Sequence, residues 1–508
     1  MRIFASTLTL VALLLGTFPQ PVNGAAVQPV ALQDCLQMAL ERNLDIQIER
    51  YSSLFAENDL NIAYAGYEPA LGLGSQRNFS RRGGGIDEFN RETPPSETTT
   101  DLINTDLNGV LPWTGMRYNL FMDLSESHGM SGRQTTNGVV IDSFDQTTGG
   151  VGINMTQPLL KNFLIDNVRF NILIARNRLK SSETSLRAQI INTVTAVELA
   201  YYDLIFARES VKVQEKALQL AERLLAENHK RVEVGALAPL DEKQAESQVA
   251  ARRSDLLSAQ RAVWTAQNTL RKLISDNYRV SHEVEFEPTE MLVPVAQIFD
   301  LQESWRRGLS LRPDVQQARL VVNGDQIDSR YYRNQVLPQL DLIGTYGHGA
   351  SGTATREYAD AFDNFRSGDR PFYTFGAQFS IPLGNTAARS RYHNSKLAVE
   401  QSQLILRKVE QDAMVQVDDS IKLARTNFER IDSTRQARLY AEAALDAEQK
   451  KLQNGKSTSF IVLQLQRDLT SARSEEIRAL ADYNKSLSQL ALNEGSTLDR
   501  RNIDVRVK

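Results

Sequence analysis

The sequence predicts an internally duplicated α+β protein in which strand-rich segments alternate with very long helices. Three observations lead to this prediction. Residues 32–73 align without a gap to residues 301–342, with ten identities in 42 positions. Two runs, 159–234 and 385–454, contain no glycine. The segments just before those runs alternate apolar and polar residues with a period of two. The 508 residues therefore form one architecture in two copies rather than three ordinary domains.

The amino-terminal residues predict export. Met1 and Arg2 give a short positive end, an apolar run centred on residues 8–15 follows, and small residues come at 22–26. This order is typical of a secretory signal peptide over residues 1–24, with cleavage after Gly24 or Ala26. Beyond it no apolar run approaches about 18 residues, so no transmembrane helix is expected. The mature protein either stays soluble or enters a membrane as strands.

The composition excludes several classes of function. The 62 acidic and 58 basic residues are too evenly balanced for a nucleic-acid-binding protein. The single cysteine, Cys35, excludes an intramolecular disulfide and a cysteine zinc site, and it lies on the apolar face of a helical pattern as a packing residue. The five histidines are far apart, and no nucleophile, base or metal constellation is visible. We expect no cofactor, no bound metal and no enzymatic activity.

Each copy has the order helix, strand segment, very long helix, glycine turn and return helix. The first copy covers 28–280, with strands at about 70–157 and its turn at Gly235. The second covers 297–495, with strands at about 339–381 and its turn at Gly455. Residues 281–296 are expected to form a linker, because they carry turn residues and little periodicity. Residues 496–508 are expected to form a C-terminal tail.

The strand segments suit a sheet with one apolar and one polar face. From Tyr373 to Ile381 the odd positions are apolar or aromatic and the even positions are small or polar. Strands of about nine to eleven such residues fit a barrel wall between lipid and water. An ordinary antiparallel sheet with one face on a protein core has the same pattern. The strands alone favour neither alternative.

The long helices favour the membrane alternative. A helix of roughly 70 residues extends roughly 105 Å at about 1.5 Å per residue, so other helices must sheathe it. The return helix of the first copy places apolar residues at seven-residue steps: Val249, Leu256, Val263 and Leu270. This heptad spacing predicts coiled-coil packing.

The motifs, taken in order, resemble those of the TolC-like outer membrane efflux proteins. Leu337-Pro338-Gln339-Leu340 stands at a helix-to-strand passage, and Pro158 and Pro382 stand at strand-to-helix passages. The glycine turns at 234–241 and 454–463 complete the set. Each motif is weak by itself. Their order, spacing and duplication over 28–495 make the resemblance specific.

The resemblance implies a homotrimer whose chains together close an outer-membrane β-barrel continuous with a long periplasmic α-helical coiled-coil barrel. Such proteins are passive exit ducts of tripartite efflux pumps and type I secretion systems in Gram-negative-type envelopes. The implied partners are a periplasmic membrane fusion (adaptor) protein, an inner-membrane RND or ABC transporter and outer-membrane lipid, with no nucleic acid. The residues agree with pooling of strands, because two to three strands per copy cannot close a barrel.

By the same resemblance, the glycine turns lie at the periplasmic tip of the helical barrel. The helices there coil inward and close the duct until the adaptor and the transporter open it. The tip and adaptor-docking residues implied in this way are Val234, Gly235, Ala236, Asn454 and Gly455.

The resemblance also implies candidate gate residues, and here the sequence departs from the family pattern. Asp241 matches an acidic residue that anchors one closing link, and Ser457 stands where relatives have a linking arginine. Ile461 and Gln464 stand where some relatives place pore-constricting acids. Asp468 lies one helical turn beyond Gln464. It is either a substitute for that acid ring or an ordinary solvated acid.

The first strand region is twice as long as the second. Its extra part contains Leu107–Leu111, a tight turn at Pro112–Gly115, and Tyr118–Leu124. Our hypothesis is that this hairpin adds two wall strands, giving a trimer eighteen strands, (4 + 2) × 3, instead of twelve. The alternative is an elaborated surface loop over the mouth. Trp113 and Tyr118 either lie at the membrane interface or pack in the hairpin.

One other class of function remains open. A soluble periplasmic coiled-coil adaptor or scaffold would also be exported and rich in long helices. It would not need strands suited to lipid in both copies of the repeat. The cargo of a duct also stays open among drugs, metals, proteins and polysaccharide, because its transporter and adaptor select cargo more than its own wall does.

Overall fold

The structure is a computed structural model that describes residues 26–86, 88, 92–135, 138–235, 237–352 and 358–504. The predicted signal peptide, residues 1–24, lies outside the described residues. The chain divides into two compact units. The helical unit comprises residues up to 44, 193–297 and 422–489, and the sheet unit comprises 45–192, 298–421 and the residues from 490 onward.

Helices make up most of the described chain. Their bounds are α1 (Leu32–Arg42), α2 (Leu44–Tyr64), α3 (Asn167–Glu233), α4 (Pro239–Ile274), α5 (Tyr278–Ser281), α6 (Leu301–Leu311), α7 (Pro313–Gln335), α8 (Tyr358–Ser367), α9 (Thr386–Gln453), α10 (Ser459–Glu494) and α11 (Thr497–Arg500). A short 3-10 helix at Ala65–Tyr67 follows α2.

The strands fall into one large sheet and two small ones. Their bounds are β1 (Ala26–Val30), β2 (Ala70–Arg82), β3 (Gly85–Ile86), β4 (Glu92–Thr93), β5 (Ser96–Val110), β6 (Arg117–Thr135), β7 (Gly138–Pro158), β8 (Val284–Pro288), β9 (Gln339–Gly352) and β10 (Pro371–Ser380).

The same order of elements occurs in both halves of the chain. Two short helices lead into strands, a very long helix follows, and a return helix ends each half. The long helices α3 and α9 have 67 and 68 residues, and the return helices α4 and α10 have 36 each. Both long helices are rich in residues of high helix propensity and free of proline and glycine in their interiors.

The sheet unit is built on a six-stranded antiparallel sheet in the order β10-β9-β7-β6-β5-β2. Within the first half, β2 pairs with β5, β5 with β6, and β6 with β7. Strand β7 then pairs with β9, although the long helices α3 and α4 lie between them in the chain. Four strands of this sheet come from the first half and two from the second, which is the (4 + 2) count that the hairpin hypothesis requires. The 112–115 turn joins β5 to β6 as a hairpin within this sheet.

The helical unit holds a small parallel sheet and the two glycine-turn hairpins. Strand β1 pairs with β8, and the buried Tyr201 hydroxyl of α3 donates to the Val30 carbonyl over 3.1 Å. Cys35 of α1 is fully buried, and this burial, reinforced by nearby carboxylates, raises the pKa of its thiol to about 12. The predicted packing role of Cys35 agrees with this position.

One predicted bound needs correction. The first long helix was expected from Leu159 but begins at Asn167. The residues between them continue the ladder of the sheet instead, since the Leu159 amide donates to the Leu340 carbonyl over 2.8 Å. Asn162 and Leu164 then adopt left-handed backbone conformations, which a helix cannot accommodate.

The expected linker and tail also contain structure. Strand β8 lies inside residues 281–296, and α11 lies inside residues 496–508. Among the described residues, α3 contains an 18-residue window that is long and apolar enough to cross a membrane, where none was expected. Because 67% of that window is buried inside the protein, it has the character of a core helix.

Candidate functional site

One face of the six-stranded sheet is almost entirely apolar over its central rows. The strand register places Leu71, Leu107, Leu120, Ile153, Tyr346 and Tyr373 side by side in a single row. The row two residues nearer the helices contains Tyr118, Met155 and Phe375. Phe375 is 81% exposed. A continuous exposed apolar surface of this kind marks contact with lipid or with another protein.

The opposite face is mostly polar, apart from Phe121 and Phe372, and its polar side chains form a hydrogen-bonded ladder. Asn119 donates to Asn108 over 2.8 Å, Asn154 donates to Asn119 over 3.0 Å, and Thr345 donates to Asn154 over 2.8 Å. All four residues lie in one row across four strands. Gly72 of β2 lies beside this ladder. A Cβ on Gly72 would stand only 2.7 Å from a carboxylate oxygen of Asp106.

The sheet ends in two open edges. Strand β2 forms one edge and β10 the other, and within the described residues neither edge has a second partner strand. Exposed edges carry unpaired backbone groups and are strong templates for pairing with another strand. The arrangement therefore suits a wall segment that is completed by other copies.

A short helix covers part of the apolar face. Ala361 and Phe365 of α8 pack on Leu124 of β6 and Ala350 of β9. These contacts lie at the end of the apolar rows far from the long helices. Phe362 of α8 is exposed beside them.

The aromatic residues of the β5–β6 hairpin have different surroundings. Trp113 is 79% exposed in the turn, whereas the Tyr118 ring lies over Gly109 of the neighbouring strand. Of the two roles considered for Tyr118, this geometry matches packing within the hairpin.

The helical unit places both glycine turns at helix reversals. Gly235 and Gly455 have φ values of 72° and 67°, which glycine adopts without strain. Val234 is exposed, and Asn454 is exposed with its side-chain amide donating to the Lys450 carbonyl over 2.9 Å. Ala236 lies outside the described residues.

Three of the candidate gate residues share one feature, which is exposure on α10. Ile461, Gln464 and Asp468 are all exposed along one stripe of its first turns. Asp241 is half-buried at the start of α4, and its backbone carbonyl accepts a long hydrogen bond of 3.5 Å from Asn228. Ser457 donates to Glu448 over 2.6 Å. This bond and the Lys451 ammonium lower the pKa of the Glu448 carboxyl.

Several polar contacts that connect the two hairpins were not predicted. The Arg467 guanidinium of α10 donates to the buried Gln248 of α4 over 2.7 and 3.2 Å. The buried Ser459 donates to Asn228 of α3 over 3.0 Å, and Arg231 donates to the Leu452 carbonyl over 3.2 Å. Polar residues interrupting an apolar stripe, such as Gln248 and Asn228, were the available signal in the sequence.

A histidine lies between two carboxylates beside the first turn. The His229 ring contacts Glu242 over 2.7 Å and Glu233 over 3.2 Å. The hydrogen bond to Glu242, together with the charges of Glu233 and Glu242, raises the pKa of His229. The contact joins α3 to α4 within one hairpin.

Over the described ranges, no group of three or more histidine, cysteine, aspartate or glutamate side chains could hold a metal ion. The described site is therefore a pair of surfaces. One is a two-faced sheet with open edges, and the other is formed by the two glycine-turn hairpins, which polar contacts join.

Comparison with known proteins identifies close architectural relatives. The family model described as outer membrane efflux protein matches residues 119–275 and 306–495. The pyoverdine export outer membrane protein OpmQ of Pseudomonas aeruginosa is 25% identical over 313 residues, which are 60% of this chain and 61% of that protein. The outer membrane protein TolC of Escherichia coli is 26% identical over 333 residues, which are 63% and 64% of the two chains. The aligned part thus spans less than two thirds of the length of either relative.

Solved structures share the fold over most of the chain. The outer membrane protein VceC of Vibrio cholerae superposes with a TM-score of 0.65 at 16% identity, covering 91% of this chain and 96% of VceC. The open state of the MtrE outer membrane channel of Neisseria gonorrhoeae gives a TM-score of 0.63 at 17% identity, with coverage of 92% and 89%. At these identities the likeness is one of fold.

Proposed function

Because the chain belongs to the outer membrane efflux protein family, we propose that it is the exit channel of a tripartite efflux or type I secretion system. It is an outer-membrane protein of a TolC-like fold, and its family consists of efflux channels rather than enzymes. The proposed channel is a passive conduit. Energy comes from an inner-membrane RND or ABC transporter, and a periplasmic membrane fusion (adaptor) protein joins the transporter to the channel.

The two-faced sheet is the observation that supports this proposal most. Its apolar face suits the hydrocarbon of the outer membrane, and its polar face, with the Asn108–Asn119–Asn154 ladder, suits a water-filled lumen. A soluble adaptor or scaffold would leave that apolar face in water. The two-faced sheet therefore favours the membrane channel over the soluble adaptor or scaffold.

The open edges support a trimer. One copy of β2 pairing with β10 of the next copy removes both edges only when a ring closes. Three chains of six strands give eighteen wall strands. In this assembly the β5–β6 hairpin is part of the wall, and Trp113 lies at the periplasmic interface of the membrane.

The helical hairpins are the proposed periplasmic tip. The adaptor docks on the exposed turns, at Val234, Gly235, Ala236, Asn454 and Gly455. The stripe of Ile461, Gln464 and Asp468 lines the gate, with Asp241 beside it. Three copies of Asp468 near a symmetry axis repel one another and favour opening unless cations screen them.

Reconstitution tests the channel directly. The purified full-length protein is expected to give stepwise conductance when it is inserted into a planar lipid bilayer. In detergent, it is expected to migrate on electrophoresis as a heat-labile trimer. Fractionation separates the rival function. Recovery in the soluble periplasmic fraction without detergent, and no conductance, would refute the channel and favour the soluble adaptor.

A further inference from the structure

A groove of about 330 Å³ lies between α3 and α7, next to the strand ends where the sheet passes into the long helices. Its floor is apolar and includes Ile165, Leu173 and Ile327. Its rim is basic and includes Arg176 and Lys180 of α3, with Arg330 of α7. None of the described residues that line the groove is acidic. The groove is therefore amphipathic and carries an excess of positive charge.

Two acidic residues of α7, Asp325 and Asp328, do not line the groove. Burial has the largest effect on the Asp328 carboxyl of α7 and raises its pKa. The charge of Asp325 raises this pKa further, and the charge of Arg178 lowers it. Arg178 is two residues from both Arg176 and Lys180, so it projects from an opposing face of α3. The described lining of the groove therefore carries several cations and no acidic side chain.

Hydrogen bonds show which side of the sheet the groove opens on. Gln157, which follows Ile153 and Met155 on the apolar face, donates to the Thr114 carbonyl over 3.1 Å. The 112–115 turn is therefore drawn towards the apolar face. Arg169, beside the groove, donates to the carbonyls of Pro112 and Trp113 in that turn. The groove and the apolar face consequently share one side.

We propose that this groove binds an acidic phospholipid of the periplasmic leaflet, one molecule per chain. The inference rests on the proposed membrane insertion of the sheet. The lipid phosphate accepts hydrogen bonds from Arg176, Lys180 and Arg330, whose donors suit phosphate oxygens. An acyl chain covers Leu173 and Ile165 and continues along the apolar face of the sheet. A lipid with a zwitterionic headgroup brings its own cation to the basic rim and binds more weakly.

The position of the groove gives the lipid a structural role. It lies where strands β7 and β9 pass into the α3 and α7 region, and the side-chain amide of Asn177 already joins these helices by donating to the Leu320 carbonyl over 2.9 Å. A bound lipid adds a further connection across the same helix pair. It also fixes the depth of the sheet in the membrane, because phosphates lie only at the interface.

Native mass spectrometry of the full-length trimer tests the site. Detergent-solubilised protein is mixed with phosphatidylglycerol or with phosphatidylcholine of identical acyl chains. The wild type is expected to retain up to three phosphatidylglycerol molecules and to prefer them by at least about tenfold. The double variant Arg176→Gln/Lys180→Gln is expected to lose that preference. The matched control Lys216→Gln/Arg223→Gln removes the same charge from two exposed positions of α3 outside the groove and is expected to keep it.

The outcomes separate this inference from the proposed function. Equal binding of the two lipids by wild-type protein, or unchanged phosphatidylglycerol binding by the groove variant, overturns the lipid site. Conductance recorded from the same preparation tests the channel independently. Conductance without lipid preference rejects the site alone, whereas lipid preference without conductance rejects the channel alone. The comparison of the two lipids on wild-type protein needs no variant. Equal binding therefore overturns the proposal even if the groove variant fails to fold.

Discussion

At the residue scale, we expect His229 to make the stability of the first glycine-turn hairpin depend on pH. Its pKa is raised because Glu242 and Glu233 stabilise the imidazolium form. A raised folded-state pKa contributes stability that is fully present below the unfolded value, about 6.5, and is lost as pH rises through the folded value. The His229→Ala variant is therefore expected to lower the melting temperature at about pH 5.5 and to change it little at about pH 8.5.

Circular dichroism melting curves at the two pH values measure this difference. His393→Ala is the control, because His393 is an exposed residue near the start of α9, far along the helix from its glycine turn. An equal loss of melting temperature at both pH values for His229→Ala would show that its contact with the carboxylates does not depend on charge.

The Arg467–Gln248 contact is the second residue-scale feature, and we expect it to hold the two return helices in a closed arrangement. It connects a return helix of each half, and a hydrogen bond from a charged donor to a buried amide is worth about 1.5–3 kcal/mol. Gln248→Ala is expected to shift the closed-to-open ratio of the channel by about tenfold. Single-channel recording should show longer open times. Lys243→Ala is the control, since Lys243 pairs with Glu246 of its own helix, and equal open times in the two variants would contradict the role of the contact.

The glycine turns belong to the scale of elements, because each one reverses a pair of helices of 36 or more residues. Alanine at Gly235 or Gly455 meets no steric contact but must adopt a positive φ, at a cost of roughly 1–2 kcal/mol. Each variant is expected to increase amide hydrogen exchange in the adjoining helix ends and to reduce capture of the adaptor. Gly344→Ala and Gly376→Ala are matched controls, since both positions are open and lack a positive φ. Unchanged adaptor capture would count against docking at the turns.

The elements differ in how well the sequence could predict them. The strand regions at 70–157 and 339–381 agree with β2–β7 and β9–β10, because a period of two is a local signal. Strand β8 was missed although Val284 and Phe286 alternate, since it is short, ends at Pro288 and pairs with β1 about 258 positions away. The start of α3 was also missed. Leu164 takes a positive φ that no local pattern in the sequence indicates.

At the scale of the site, pattern reasoning located surfaces better than contacts. Alternation indicated both faces of the sheet, and the extra hairpin suggested six strands per chain. The Arg467–Gln248 and Ser459–Asn228 pairs bring together residues more than 200 positions apart, and no short-range rule connects them. Such pairs depend on how four helices align with one another, and no local pattern in one sequence indicates that alignment.

At the scale of the whole molecule, the assembly depends on which strands pair with the two open sheet edges, β2 and β10. If three chains form the barrel, β2 of one copy lies beside β10 of the next, and residues of the apolar face on both strands come within reach of a disulfide. We expect Phe375→Cys combined with one of Leu71→Cys, Leu73→Cys or Ser75→Cys to give a covalently linked trimer on oxidation. These positions share a face, and the scan covers the register between copies.

Denaturing electrophoresis without reductant reads out this experiment. The native Cys35 does not interfere, because it is fully buried and its thiol pKa is raised to about 12. Phe375→Cys with Leu120→Cys is the control, since Leu120 lies on the same face in the middle of the sheet and cannot reach an edge. A disulfide within one chain would mean that the six strands close on themselves, and a covalent dimer without trimer would mean a two-fold assembly. Either result would overturn the eighteen-stranded barrel, because closure by three copies requires every β2 edge to meet the β10 edge of a different chain.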